Sequence, residues 1–384
     1  MTAPHHPIAV IGAGLGGLTL ARVLHAGGVE TPVFDLDADR HARTQGGMLD
    51  IHEESGQAAL RAAGLHDDFR ALVLPGGEAM RILDKHATVL MERRDEDSGH
   101  TRPEVDRGLL RDLLLDSLPD GTVRWDSKVD ATRTLGDGRH EVTLADGAVF
   151  TTDLLIGADG AWSRVRPLVS GARPAYTGVS MVEFDLRDAD VRHPEAAAVV
   201  GGGMLFALSD GRGFLAHREF DGSLHIYATV RADRSWLDGI DFTDAETAKK
   251  AVLEEFADWH PDLRALVSDA DGELVPRSIV ALPVGHRWDR VPGVTLLGDA
   301  AHVMSPFAGE GANIAMLDAA ELAQDLLRHP GDTETALAAY EEAMFDRAEE
   351  AAAGSAANLD LCLADDAPRG LVAQFAAATP GANG

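Results

Sequence analysis

The chain has 384 residues, 45% hydrophobic and 25% charged, the composition of a soluble globular protein too long for one simple core. Thirty-four basic against sixty-three acidic residues leave a formal charge of −29, which repels nucleic acid and anionic membrane surfaces. Cys362 is the one cysteine, which excludes an internal disulfide framework and a multi-cysteine metal site and suits a reducing cytosol.

The histidines show no HExxH or other close metal-binding pattern, so no metal is expected. The N-terminal segment lacks a basic leader, and no apolar run is long enough to span a bilayer. A cytoplasmic, monomeric protein is the expectation.

In chain order, "PIAVIG" (7–12) reads as a strand buried on both faces, followed by a helix over 15–25 and a second strand, "TPVFDLD" (31–37). Between the first two lies "GAGLGG", which puts Gly12, Gly14 and Gly17 in the GxGxxG spacing. The three positions serve a tight turn, close backbone approach to a pyrophosphate, and close helix–strand packing. Asp35 stands about twenty residues further on, where an acid hydrogen-bonds a ribose hydroxyl. A glycine-rich turn with a surface aspartate is the plainer alternative. The surrounding βαβ pattern favours dinucleotide binding.

The charged stretch 95–106 reads as a solvated loop ahead of a helix that carries Arg111. "EVTLADGAVF" (141–150) alternates about Asp146-Gly147 and predicts a hairpin. In "LLIGADGAWSRVRP", Asp159-Gly160 follows a strand over 153–156, and Arg164 falls just inside an expected helix; an ordinary strand-end turn is the alternative. Residues 204–230 hold three alternating runs split at Asp210-Gly211 and Asp221-Gly222, an antiparallel meander with one face free to pack.

"GVTLLGD" then reads as a buried strand that leads into "GDAAHVMSPFAGEGAN" (298–313) and a helix. Glycines and bare backbone N–H groups at a helix N-terminus suit an anion or the polar edge of a ligand. Beyond Pro330, Leu337, Tyr340 and Met344 recur at helical spacing, and the tail after Pro368 is expected to fray. Trp125, Trp162, Trp236, Trp259 and Trp288 are scattered and expected at core or interface positions.

A GxGxxG, a DG motif and a GD motif in this order, over nearly the whole chain, resemble the single-component FAD-dependent monooxygenases of the aromatic-hydroxylase type, class A. "ARTQGGMLDIHEESGQAALRAAGL" (42–65), "RPEVDRGLLRDLLLDSL" (102–118) and "GDAAHVMSPFAGEGAN" look closest to the tetracycline-inactivating enzymes of that group, the tetracycline destructases. The resemblance implies an α/β fold: a split Rossmann-like FAD-binding domain, an inserted antiparallel-sheet substrate domain and a C-terminal bridging helix. The expected boundaries are 1–73, 102–170 and 281–330 for FAD, 74–101 and 171–280 for substrate, and 331–384 for the helical segment.

The same resemblance assigns site residues by position. Gly12, Gly14, Gly17, Asp35, Asp50, Arg111 and Asp159 would hold FAD. Asp299 would meet the flavin's hydroxyl chain, with Gly311 and Ala312 at the pyrimidine edge, and Arg43 would meet the nicotinamide cofactor. His225 would contact substrate, and Pro306, Phe307 and Gly309 would line the pocket. Three positions depart from the group. Leu36 stands where a cofactor-contacting arginine is found, Glu183 replaces a neutral amide, and Met204 replaces an arginine. An ionised, unpaired Glu183 in a dry pocket would disfavour anionic ligands.

The implied reaction has NADPH or NADH reduce the flavin, O2 add to give a flavin hydroperoxide, and one oxygen pass to a small organic substrate, aromatic or polyketide. No protein nucleophile is required, and the flavin carries the chemistry. A flavin-dependent dehydrogenase or reductase on the same fold, or a flavoprotein that sequesters a drug without turnover, would share these motifs.

Overall fold

The computed structural model describes residues 3–42, 47–95 and 101–378. The chain forms two compact units: Met1–Val73, Arg107–Ala175 and Ala281–Ser355 make the first, and Leu74–Asp106, Tyr176–Val280 and Ala356–Gly384 the second.

The first unit is built on a mixed sheet. Strand His5–Ile11 lies between Val33–Phe34 and Val149–Gly157, parallel to both. Along its other edge Val149–Gly157 pairs antiparallel with Arg139–Leu144 through residues 149–152, and parallel with Val294–Leu296 through residues 155–157. Ala9, Val10, Leu155, Ile156, Val294 and Leu296 are fully buried, as expected of strands covered on both faces.

The second strand is shorter than the expected 31–37. Its ladder ends at Phe34 because Asp35 turns its carboxylate back to two backbone N–H groups, those of Ala13 and Asp37. The hairpin about Asp146-Gly147 is present, with Gly147 at φ +86°, a conformation that favours glycine. Arg164 lies outside any helix. Only one 3-10 turn, Arg166–Leu168, follows the DG motif, where Pro167 supplies no N–H for a longer one.

The second unit carries a seven-stranded sheet in the order Asp271–Ala281, Ala175–Leu186, Leu224–Arg231, Arg212–Arg218, Met204–Ser209, Met80–Leu83, Val89–Arg93. The three runs expected over 204–230 form its central meander. Period-two alternation sorts the faces. Val182, Phe184, Ile226, Ala228, Phe214, Ala216, Leu205 and Ala207 point to one core, which also buries Val252, Phe256, Trp259, Leu263 and Leu266 from helices Ala245–Glu255 and Pro261–Ser268 and the turn between them. Glu183, Asp185, His225, Tyr227, His217 and Met204 fall on the opposite face.

Helix Thr333–Cys362 buries Leu337, Tyr340 and Met344 at the expected spacing. The tail expected to fray is helical over Arg369–Ala378. Trp259 and Trp288 are buried, but Trp162 is 65% exposed and so is not a core residue. Cys362 is buried, and burial pushes its thiol up to about 12. Among the described residues no helix is long and apolar enough to cross a membrane.

Candidate functional site

Three adjacent parallel strands of the first unit end in step, since Ile11 pairs with Gly157 and Gly157 with Leu296. The chain leaves each strand through one of the motifs: Gly12 to Gly17, Ala158 to Gly160, and Gly298 to His302. The carboxyl edge of an open parallel sheet is where such folds bind ligands.

The three glycines of the first motif have different physical reasons. Gly12 holds φ +108°, and a Cβ there would meet the Ala158 carbonyl oxygen at 2.2 Å. A Cβ on Gly17 would meet the Gly12 carbonyl oxygen at 2.0 Å, so helix Leu15–Ala26 leaves the strand at backbone contact. Gly14 is the residue before that helix. A Cβ on Gly14 would meet nothing within 4 Å, and no side chain caps the helix N–H groups. The turn therefore presents bare N–H groups to open space, as a phosphate site requires.

A second helix, Glu310–Arg328, runs beside the first and in the same direction. Gly16 packs on Leu297 and Ala315, and Gly27 packs on Leu327, so the two N-termini lie at one end. Glu310–Arg328 also starts without a side-chain cap, from Gly309 at φ +68°. A Cβ on Gly311 would likewise point into open space. Two parallel N-termini add their dipoles at this edge.

Asp35 and Arg111 brace the glycine loop from behind. Asp35 is buried and accepts from the Ala13 N–H at 2.5 Å and the Asp37 N–H at 2.9 Å. Arg111, on helix Arg107–Asp116, donates to the carbonyls of Ala13 at 3.1 Å and Arg40 at 3.0 Å, stands 3.8 Å from Asp37, and lies over Trp125.

Asp50 is drawn to the second helix start. Its side chain meets His52 Nε2 at 2.8 Å and approaches Gly309, where a Cβ would stand 2.9 Å from Asp50 Oδ1. Asn313 binds this corner together, donating to the carbonyls of Asp50 and Gly309 and accepting from the His52 N–H. Ala312 sits in the first turn of the same helix, and Pro306 and Phe307 form the single 3-10 turn before Gly309.

In the GD segment, Asp299 is exposed, and its carboxylate makes no hydrogen bond or ion pair to a described residue. Its neighbours are tied down. Asp318, fully buried in the second helix, accepts from the Gly298 N–H at 3.1 Å, meets His302 Nε2 at 2.6 Å and accepts from Arg347 at 2.8 Å. Burial opposes charge on both His302 and Asp318, yet their mutual attraction prevails, raising His302 with help from Asp299 and lowering Asp318 with help from Arg347.

Asp159 is turned inward. Its carboxylate accepts from the Ser163 hydroxyl and from the N–H groups of Arg164 and Val165, which closes its own turn. Burial pushes its pKa up against those bonds. Arg166 reaches from that turn to the Ala300 carbonyl in the GD segment at 3.2 Å. Arg43 lies outside the described residues.

Pro306, Phe307 and Gly309 belong to the first unit, and Glu183, Met204 and His225 to the second. The latter three share the sheet face opposite the one packed on helices Ala245–Glu255 and Pro261–Ser268. His225 is buried, with Nδ1 2.6 Å from Asp185 and Nε2 3.6 Å from Glu183. Burial lowers its pKa, but the Asp185 hydrogen bond and the charges of Asp185, Glu183 and Glu219 outweigh this and raise it. Glu183 is paired: Arg277 Nε donates to it at 2.6 Å from the neighbouring strand, which offsets the cost of its charge.

Asp318, Arg166, Asp185 and Arg277 were missed in the sequence. Asp318 left a signal: with Ile314 and Leu322 it sits on the apolar stripe of its helix, where an acid needs a reason.

The comparisons with known proteins fit this geometry. The model of a family described as FAD binding domain matches residues 5–355. The monooxygenase penA of Penicillium thymicola is 32% identical over 417 residues, covering 94% of this chain and 96% of its own. HpxO of Klebsiella pneumoniae, solved with FAD and uric acid, has the same fold, with TM-score 0.79, 23% identity, and coverage of 98% of this chain and 93% of that one. So does tetracycline destructase Tet(55), with TM-score 0.76, 21% identity, and coverage of 98% and 96%.

Proposed function

Since the chain belongs to the FAD-binding family of class A flavin monooxygenases, we propose that it hydroxylates a small organic molecule with O2, using NADPH or NADH as electron donor. The observation that carries this reading is the pair of parallel, uncapped helix N-termini at the carboxyl edge of the sheet, with open space at Gly14 and Gly311. That arrangement suits a long anionic cofactor with a polar ring edge.

FAD supplies, when bound, the electron-accepting and oxygen-activating chemistry that no side chain has. The protein's part is binding and positioning. Gly12, Gly14 and Gly17 would receive the pyrophosphate on bare N–H groups, with Asp35 and Arg111 fixing the loop and Asp35 near the ribose. Asp159 would act indirectly, by shaping the turn beside it. Asp299 offers an unpaired carboxylate for the hydroxyl chain, and Gly311 and Ala312 offer a dipole end that favours negative charge on the ring. Asp50 would stand beside them, held by Asn313. Arg43 would meet the nicotinamide cofactor.

Substrate would meet Glu183, Met204 and His225 on one sheet face of the second unit; Pro306, Phe307 and Gly309, in the first unit, are proposed as substrate contacts from the resemblance alone. Asp185 fixes the His225 ring through Nδ1, so that Nε2 is the nitrogen left to hold or accept a proton.

The test is a screen of aromatic and polyketide compounds for stimulated NADPH oxidation by the FAD-loaded protein, with 18O2 and mass spectrometry on the products. A compound that gains one labelled oxygen is the expected result. Donor oxidation with no O2 uptake and no labelled product would establish a dehydrogenase instead, and tight binding with no stimulated turnover would establish a sequestering flavoprotein.

A further inference from the structure

We propose that Arg93, in a cavity of about 300 Å3 in the second unit, binds the anionic group of an amphiphilic organic acid whose apolar body rests on Met80 and Met204. The inference deepens the substrate reading above, on which it rests, by naming the charge class of the ligand.

Three observations carry it. The first is register. Asp185 pairs with His225, His225 with His217, His217 with Met204, Met204 with Met80, and Met80 with Arg93. Directly opposed residues share a face, so these six form one row across six strands of the face opposite the helices. Strands lie about 4.8 Å apart, which puts the Arg93 backbone about 10 Å from that of Met204.

The second is the cavity. Met80, Arg93, Arg94, Val200, Gly203 and Met204 are among its walls. Its volume is at the lower end of the range for small-molecule sites. The Gly203 wall is fixed, because a Cβ there would meet the Ala79 carbonyl oxygen at 2.2 Å and the Gly77 carbonyl oxygen at 2.7 Å. Glu92 and Asp95 also line it, Glu92 held by Arg81 and Asp95 by the Glu78 N–H, so Arg93 beside Met80 and Met204 matches a ligand with an apolar body and an anionic end.

The third is the pattern of committed and uncommitted charge. Arg81 is spent on Glu92 at 2.7 Å and on the Ala198 carbonyl at 2.6 Å. Asp95 accepts from the Glu78 N–H at 3.1 Å. Arg93 has no hydrogen bond or ion pair to a described residue, and its Nε is buried without a partner among them. A buried donor without an acceptor is costly in a chain of charge −29 with carboxylates to spare. An anionic ligand supplies the acceptor.

The test is isothermal titration of the FAD-loaded protein with 2-naphthoate and with neutral 2-naphthalenemethanol. Wild type should prefer the acid by about tenfold or more. Arg93→Met should abolish the preference and leave binding of the neutral probe within about twofold, while Arg93→Lys should keep part of it. Arg139→Gln, at an exposed position outside the cavity, should change little. Equal binding of the two probes to wild type, binding of neither, or a preference that survives in Arg93→Met overturns the proposal. Bound FAD and the melting temperature, read on each variant, separate these results from misfolding. A protein that binds naphthoate through Arg93 but incorporates no oxygen from any substrate would leave this site standing and remove the monooxygenase reading.

Discussion

Asp318 holds Gly298: the buried carboxylate accepts the glycine N–H at 3.1 Å with the same oxygen that stands 2.6 Å from His302 Nε2. The GD segment is thereby pinned at both ends of its short helix, Asp299–His302, by one residue of the neighbouring long helix. Asp299, between those ends, is left with its side chain outward.

This division of labour makes the two aspartates separable. Asp318→Asn leaves His302 and Arg347 facing an amide in a dry site, and breaking a buried ionic cluster costs about 3–5 kcal/mol. Thermal or denaturant unfolding of the apoprotein should show the loss, and FAD affinity should fall with it. An unchanged unfolding midpoint would mean that the cluster contributes nothing to the fold.

Asp299→Ala should do the reverse. The apoprotein should melt close to wild type, because the side chain makes no hydrogen bond or ion pair to a described residue and acts on Arg166 and His302 only through its charge. FAD should bind about ten- to a hundredfold more weakly, equivalent to about 1–3 kcal/mol for removing a polar partner of the cofactor in a desolvated site. Flavin titration of the apoprotein measures this, and equal affinity would remove Asp299 from the cofactor site.

Glu219 gives the second unit a pH dependence. Burial raises its carboxyl to about 7 from 4.5, with the charges of Asp106, Asp185 and Asp221 adding and His225 opposing. Its Oε1 is buried without a hydrogen-bond partner among the described residues. The folded value lies above the unfolded one, so the protonated acid's contribution is complete below pH 4.5 and is lost as pH rises through about 7. Glu219→Gln should therefore stabilise the protein at pH 8 by about 1–3 kcal/mol, allowing for solvent screening, and by little at pH 4.5. His225 titrates in the same direction, so the comparison of the two proteins, not the wild-type curve alone, isolates Glu219. A Gln variant with the wild-type pH profile would contradict this account.

Glu183→Gln tests the substrate face. The wild-type carboxylate neutralises Arg277 at 2.6 Å. The amide removes a negative charge at nearly constant volume and leaves Arg277 a net cation on that face. Binding of tetracycline-type ligands, which carry a delocalised anionic edge, should improve by about three- to tenfold with FAD affinity unchanged. Quenching of flavin fluorescence gives the dissociation constants. Tetracycline binding that is equal, or tighter to wild type, would show that Glu183 does not meet the ligand.

What the sequence disclosed follows from how local each signal is. The glycine spacing, the strand runs and the Asp-Gly turns are set within a few residues, and the first strand and helix, the hairpin and the meander appear where those patterns put them. Asp35 was legible as an acid at a strand end, but not its grip on the Ala13 N–H, which depends on two strands lying side by side. The His302–Asp318–Arg347 cluster and the Arg277–Glu183 pair join residues far apart in the chain, and no local pattern encodes a partner. Arg164 was misjudged because a DG motif says little about a turn that Pro167 cuts short.

The central claim is that FAD binds across the two bare helix N-termini, and Gly14→Val tests it most directly. Gly14 has φ −76°, and a Cβ there has no described atom within 4 Å, so the side chain starts into open space. The expected result is an apoprotein with the wild-type melting temperature that no longer retains FAD through desalting, with affinity reduced by about a hundredfold or more. FAD bound as tightly as in wild type would place the cofactor elsewhere and contradict the claim.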